Sequence, residues 1–217
     1  MPIDLYQIPV SAPCRAVLMT AKEIGLEVNL KFVNLFNGEQ YKDEFLKINP
    51  QHCIPTIDDD GYYLWESRAI MTYLANKYAP NHQIYPKDAK KRAMIDYFLY
   101  FDIGSLYKNV ADLVYGPAFR GENVDQDKVK NLKECLSHVE KFLSTSPYLV
   151  GETLTLADLS ILATLTFAKL IDFDYSEYSS IQRWMTKLEK ELPYYDEVNG
   201  QPLKEFKKEM EEMKSKK

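Results

Sequence analysis

The sequence predicts a small α/β domain followed by an all-helical one, and three observations carry that prediction. Strand and helix patterns alternate over the first 80 residues, a proline-bounded stretch follows, and beyond it apolar residues recur at three- and four-residue steps. At 217 residues the chain has room for one large or two small domains, and 46% hydrophobic content supplies their cores.

Ile3-Asp4-Leu5-Tyr6 reads as a short strand leading into the loop Pro9-Val10-Ser11-Ala12-Pro13-Cys14. From Arg15 to Ile24 the apolar positions have helical spacing, and Gly25 is the stop. Val28 to Val33 alternates as a strand, and Asp43 to Ile48 is a second helical stretch closed by Asn49-Pro50. Thr56-Ile57 and Tyr62-Tyr63-Leu64-Trp65 flank Asp58-Asp59-Asp60-Gly61, a hairpin signal. Ser67 is the expected N-cap of a helix through Tyr78, which completes a βαβαββα order over residues 1–80.

Residues 81–88, which include Tyr85-Pro86, read as a linker, and 89–217 as the helical domain. Val129, Leu132, Leu136, Val139 and Leu143 step along one helix face. Thr155-Leu156-Ala157-Asp158 has the form of a capping box, and the helix it opens, through about Leu170, is apolar nearly all round and expected in the core. The Lys/Glu-rich end, Lys204 to Lys217, reads as a solvated helix and tail.

Composition narrows the function. With 27 Lys plus Arg against 32 Asp plus Glu the formal charge is −5, which excludes a basic nucleic-acid binder. No run of about 18 uncharged apolar residues is present to span a bilayer, and Asp4 stands where a signal peptide carries basic residues. Cys14, Cys53 and Cys135 are odd in number and lack C-x-x-C or metal-ligand spacing. Free thiols, a cytosolic location and no structural metal are the expectation.

Three short segments carry possible chemistry. Ser11 stands at the junction of the first strand and helix, where unpaired N–H groups and partial positive charge favour an anion such as a thiolate, and its hydroxyl can donate to one. It can equally be an ordinary cap or loop serine. Cys14 is expected to point into the helix packing as an inert thiol. In Asn49-Pro50-Gln51-His52-Cys53-Ile54-Pro55-Thr56, Pro55 cannot donate to a strand ladder, so the backbone before it can serve as a docking edge for an extended peptide. His52 can bind a carboxylate or be structural, while His82 and His138 read as structural. In Trp65-Glu66-Ser67-Arg68, Glu66 suits an ammonium and Ser67 at a helix start suits a carboxylate, together matching an amino-acid head group. A capping serine beside a surface ion pair is the plainer alternative.

Taken in order, Ser11-Ala-Pro-Cys-Arg-Ala-Val, Asn49-Pro-Gln-His-Cys-Ile-Pro-Thr and Trp65-Glu-Ser-Arg-Ala-Ile resemble the glutathione-binding segments of the cytosolic glutathione transferases, the insect delta class above all. Phe101-Asp-Ile-Gly-Ser-Leu-Tyr107 and Thr155-Leu-Ala-Asp-Leu are similar to that class's helical domain, so the resemblance spans nearly the whole chain. It implies a thioredoxin-like N-terminal domain, an α-helical C-terminal domain and a homodimer. Glutathione would be the co-substrate, with hydrophobic electrophiles as its partners in conjugation. Peroxidase or dehydrohalogenase side activity would run on the same thiolate.

Carried over by resemblance, Ser11 stabilises the glutathione thiolate. The segment Gln51-His52-Cys53-Ile54-Pro55 contacts the tripeptide, His52 at its glycine end and Ile54 before a cis Pro55 by backbone pairing. Glu66 and Ser67 hold the γ-glutamyl head, with Arg68 and Asp102 in the same network. Where delta enzymes commonly have a histidine after Gly-Glu, this chain has Gln40. The hydrophobic substrate site would take Ala12, Pro13, Leu35, Tyr107, Tyr115, Phe119 and Phe206. Two rivals are a thiol–disulfide oxidoreductase using Cys14 and a non-catalytic binder of apolar ligands.

Overall fold

A computed structural model describes residues 2–215. The N-terminal domain is thioredoxin-like: β1 (Ile3–Gln7), α1 (Ala12–Glu23), β2 (Val28–Phe32), α2 (Asp43–Leu46), β3 (Thr56–Asp59), β4 (Tyr62–Trp65) and α3 (Ser67–Tyr78). Its sheet has the order β2-β1-β3-β4, with β2 parallel to β1 and β3 antiparallel to both of its neighbours. Leu5 and Ile57 are buried in the sheet, as are Val17 of α1 and Ile70, Met71 and Leu74 of α3.

The predicted hairpin forms with a shorter turn than expected, because Asp58 and Asp59 pair with Tyr63 and Tyr62 and belong to β3. Asp60 and Gly61 hold φ of 55° and 86°, the left-handed pair that a two-residue turn between twisted strands requires, and Asp58 Oδ1 accepts the Gly61 N–H at 2.8 Å.

Strand direction positions the site. Gln7 pairs with Phe32, Tyr6 with Thr56, and Thr56 with Trp65. The C-terminal ends of β1, β2 and β4 and the N-terminal end of β3 therefore share one end of the sheet, bringing Ser11, Asn34 to Tyr41, Cys53 to Pro55 and Glu66-Ser67 together there.

The helical domain comprises α4 (Ala89–Phe101), α5 (Tyr107–Tyr115), α6 (Gln126–Leu143), α7 (Leu156–Phe167), α8 (Ser179–Glu191) and α9 (Gln201–Ser215). π-Helical turns at Asp102–Leu106, Gly116–Arg120 and Asp196–Gly200 link or extend them. Every residue of α7 is buried, in keeping with its largely apolar surface, and its few polar side chains, Asp158, Ser160, Thr164 and Thr166, are hydrogen-bonded. Its capping box forms: Asp158 Oδ2 accepts the Thr155 N–H at 2.9 Å, and Oδ1 takes the Leu149 amide and the Trp184 indole at 2.9 and 3.0 Å.

Four other expectations are corrected. Helix α1 begins at Ala12, not Arg15, because Ser11 caps it and a proline is well tolerated in a first turn. Glu66, not Ser67, is the N-cap of α3, and the Ser67 hydroxyl accepts from Arg68 instead. Helix α7 ends at Phe167, and a tight turn carries the chain to Ile171. The C-terminal helix is not wholly solvated: Leu203, Phe206 and Met210 form a buried stripe among the Lys and Glu residues. Lys216 and Lys217, the end of the predicted tail, lie outside the described residues. Strand β2 forms as predicted but lies at the sheet edge, where Leu30 and Phe32 remain exposed.

Candidate active site

Ser11 is the N-cap of α1, with extended backbone (φ −67°, ψ 120°), and its Oγ accepts the Cys14 amide at 3.5 Å. An oxygen that accepts this way keeps its O–H to donate to a sulfur. Pro13 removes one helix-start donor and Ser11 engages the Cys14 amide, which leaves the Ala12 amide at this end. Cys14 is 1% exposed, and burial pushes its thiol up to about 11 against the pull of Ser11, the Ile8 backbone and the Arg15 charge. Such a thiol is neutral at physiological pH and inaccessible.

The loop before β3 is built on Asn49, a residue whose part here the sequence reading missed because it marked only a helix end. Fully buried, it donates from Nδ2 to the Cys53 carbonyl at 3.0 Å and to Thr56 Oγ1 at 2.9 Å, while its Oδ1 accepts the Gln51 amide at 2.9 Å. Its amide also reaches Cys53 Sγ at 3.3 Å. The Ile54-Pro55 peptide is cis. Among the described residues, Ile54 makes no backbone hydrogen bond, so its N–H and C=O are left for another partner. Gln51 is engaged at its side-chain oxygen by the Trp65 indole at 2.8 Å, and exposed His52 lies 4.9 Å from the Tyr41 ring. Gln40 is buried, and its Oε1 has no hydrogen-bond partner.

At the start of α3, Glu66 is exposed and holds φ 70° and ψ 101°, a region sparsely populated by residues with a Cβ. Such conformations cost on the order of 1–3 kcal/mol and concentrate at functional sites. Ser67, Arg68 and Asp102 form a buried chain behind it. Arg68 donates from Nη1 to Ser67 Oγ at 2.8 Å and from Nη2 to Asp102 Oδ2 at 2.5 Å. The Ser160 and Thr164 hydroxyls complete the Asp102 shell at 2.5 and 2.8 Å. The guanidinium carbon of Arg68 stands 5.4 Å from the Tyr107 ring centre.

Both domains contribute to an aromatic cluster. Phe36 stacks on Phe119 and Phe206 with ring centres 5.9 and 6.0 Å apart, and Phe119 and Phe206 lie 5.2 Å from each other. Tyr115 adjoins Phe119 at 5.3 Å, and its hydroxyl meets that of Tyr107 at 3.3 Å. Four of the predicted apolar residues are thus brought together. Leu35 is half-buried beside Phe36, Pro13 is half-buried, and Ala12 is in the core. The sequence reading missed Phe36 and Phe167, the latter packing on Tyr115 at 5.8 Å; adjacency to Leu35 was the signal available for Phe36.

The two histidines read as structural do make local bonds. His82 Nδ1 accepts the Ile84 amide at 3.2 Å, and His138 Nε2 meets the Tyr97 hydroxyl at 2.5 Å. Among the described residues, no group of three or more His, Cys, Asp or Glu is arranged to hold a metal, and no helix is long and apolar enough to cross a membrane.

A thioredoxin-like domain with a cis-proline loop, joined to an all-helical domain that supplies an aromatic wall, defines a class of two-domain enzymes. The family model for the glutathione S-transferase N-terminal domain matches residues 1–76, and that for the C-terminal domain matches residues 105–191. The chain belongs to the glutathione S-transferase family. A delta-class glutathione transferase of Nilaparvata lugens is 45% identical, covering 98% of this chain and 100% of its own, with a TM-score of 0.92. A Bombyx mori glutathione transferase is 42% identical over 96% of this chain and 97% of its own, also at 0.92. A Drosophila mojavensis homolog, solved with bound glutathione, is 34% identical over 97% of each chain at 0.89.

Proposed function

We propose that this enzyme binds glutathione at the common end of the sheet, lowers its thiol pKa and directs the thiolate onto hydrophobic electrophiles. The observation that carries this reading is the placement of Ser11, capping α1, at the sheet end that also holds the unpaired Ile54 peptide and the Glu66-Ser67 start of α3. An extended tripeptide lying across that end meets each group in turn. Its cysteinyl unit pairs with the Ile54 backbone, its γ-glutamyl ammonium with exposed Glu66, and its γ-glutamyl carboxylate with the Ser67 end of α3. Its glycine carboxylate faces His52, and the unpartnered Oε1 of Gln40 lies in the same part of the fold. Asp102, fully buried, acts through Arg68 and not by contact.

A free thiol with pKa about 8.5 is only about 3% ionised at neutral pH. Lowering it by about two units, roughly 2.7 kcal/mol, raises that fraction to about three quarters. The Ser11 hydroxyl, the Ala12 amide at the start of α1 and the helix dipole supply stabilisation of that order. Ser11 donates a hydrogen bond to the nucleophile and is not itself the nucleophile. The electrophile lies against the Tyr107, Tyr115, Phe119 and Phe206 wall, while Leu35, Ala12 and Pro13 border the sulfur. The enzyme works as a cytosolic homodimer, and exposed Tyr100 and Ile103, three residues apart, offer apolar surface for that contact.

Ser11→Ala is the test. It should keep glutathione affinity within a few-fold while lowering turnover of an aryl halide by about 10- to 1000-fold, the loss typical of deleting a preorganised donor. Unchanged turnover with an unshifted thiol titration would sink the assignment. The disulfide-exchange alternative is disfavoured by the burial of Cys14 and the upward push on its thiol.

A further inference from the structure

Arg15 lies one turn into α1, four residues past Ser11 and on the same side of the helix. Its amide donates to the Ser11 carbonyl at 3.0 Å. The side chain is 1% exposed, and every partner of its guanidinium is neutral. Nη1 donates to Thr166 Oγ1 at 2.8 Å and to Asn199 Oδ1, Nη2 donates to the Ala163 carbonyl at 3.0 Å, and Nε has no partner. No Asp or Glu pairs with Arg15 among the described residues, whereas the other buried arginine of the site, Arg68, has Asp102.

A buried cation without a counter-charge is unfavourable, and evolution usually provides a carboxylate. The titratable groups facing Arg15 are Cys14 on α1, Tyr107 on α5 and Tyr195 before the last π-turn. Burial pushes Cys14 and Tyr107 upward, so both stay protonated at neutral pH and neither supplies the anion. α7 offers only Thr166 and the Ala163 carbonyl, and the π-turn offers Asn199. The acidic groups on the elements that pack here, the end of α1 and the last π-turn, are engaged elsewhere: Glu197 with Lys22, Glu23 with the Tyr194 hydroxyl, and Asp196 with Gln201. Burial lowers Arg15 itself to about 10, which leaves it charged at neutral pH.

We propose that the missing counter-charge of Arg15 is the thiolate of the bound co-substrate. Arg15 is then a positioning residue that ties the Ser11 end of α1 to α7 and adds positive potential there through the low-dielectric core, without touching the sulfur. This inference rests on the glutathione reading given above.

The experiment titrates the thiol of enzyme-bound glutathione by its thiolate absorbance, alongside the pH profile of kcat/KM. Arg15→Gln, which can still hydrogen-bond, should move the midpoint up, by an amount on the order of one pH unit for a single interior charge acting at an effective dielectric near 20. Arg15→Lys should restore most of that shift. The deciding variant is Asn199→Asp, which keeps Arg15 and strengthens its anchor but supplies a carboxylate inside the protein. It should raise the midpoint as Arg15→Gln does. A purely structural Arg15 predicts changes in melting temperature with no movement of the midpoint in either variant, and that result overturns the proposal. Should Arg15→Gln fail to fold, Asn199→Asp and Arg15→Lys decide. Ser11→Ala run in parallel separates the two readings: a midpoint that moves there but not in Asn199→Asp removes Arg15 alone, and one that moves in neither removes the thiolate site.

Discussion

Arg68 and Asp102 meet across the junction of the two domains at 2.5 Å, and the same guanidinium reaches back to the Ser67 hydroxyl at the start of α3. The helical domain thereby sets the orientation of a residue on the opposite domain. Asp102→Ala strands a buried cation and leaves the Ser160 and Thr164 hydroxyls unpaired, a change that costs about 3–5 kcal/mol. It should also raise KM for glutathione several-fold more than it lowers kcat. Urea unfolding and steady-state kinetics check both effects, and wild-type values for the two would contradict this role.

The aromatic cluster separates stability from specificity. Phe206 is 8% exposed and Phe36 is 62% exposed, although their rings stack. Phe206→Ala opens a cavity and should cost roughly 3 kcal/mol. Phe36→Ala should stay within about 0.5 kcal/mol of the wild type. Both should raise KM for an aryl electrophile while leaving KM for glutathione unaltered. A Phe36 variant with an unchanged aryl KM would exclude that residue from the pocket.

Asp59 anchors α3 to the hairpin at the other end of the sheet, accepting from Tyr73, Lys77 and Tyr78 at 2.6, 2.7 and 2.7 Å. Burial alone would push its carboxyl up, but these three donors outweigh burial and hold it below the ordinary aspartate value. A carboxyl lower in the folded than in the unfolded state contributes stability that is fully present above about pH 4 and lost as the pH falls through the folded value. Asp59→Asn should therefore be less stable than the wild type at pH 7, with the gap narrowing in acid. Denaturant midpoints at a series of pH values measure it; a gap independent of pH would show that the charge is not what stabilises.

The three thiols should react in two groups. Cys53 and Cys135 are partly exposed, whereas Cys14 is buried with its thiol pushed up to about 11. An aromatic disulfide reagent at pH 7 should titrate two thiols in the native protein and the third only on unfolding. A fast signal that disappears in Cys14→Ala would reverse this assignment.

Much of this architecture is legible in local sequence because its causes are local. Asp60-Gly61 can adopt the left-handed pair a tight hairpin needs, and Thr155 with Asp158 satisfies a helix end within four residues. The helix start at Ala12 was missed because Ser11 and Pro13 each read as loop residues, although a cap followed by a proline opens a helix equally well. The buried stripe Leu203, Phe206 and Met210 was hidden by its Lys and Glu neighbours, whose abundance says nothing about which face they occupy.

The sequence by itself determined the succession of strands and helices, since propensity, capping and periodicity act over a few residues, and its short motifs offered residue types that suit an anion and an amino-acid head group. Only the tertiary structure decided which of them meet. Strand direction gathers Ser11, Ile54 and Glu66 at one sheet end, and docking of the helical domain gives Arg68 its carboxylate while giving Arg15 none among the described residues. Those contacts join residues up to 184 positions apart, as between Arg15 and Asn199. Long-range packing and the electrostatics of burial fix such pairs, and neither has a signature within any short window of the chain.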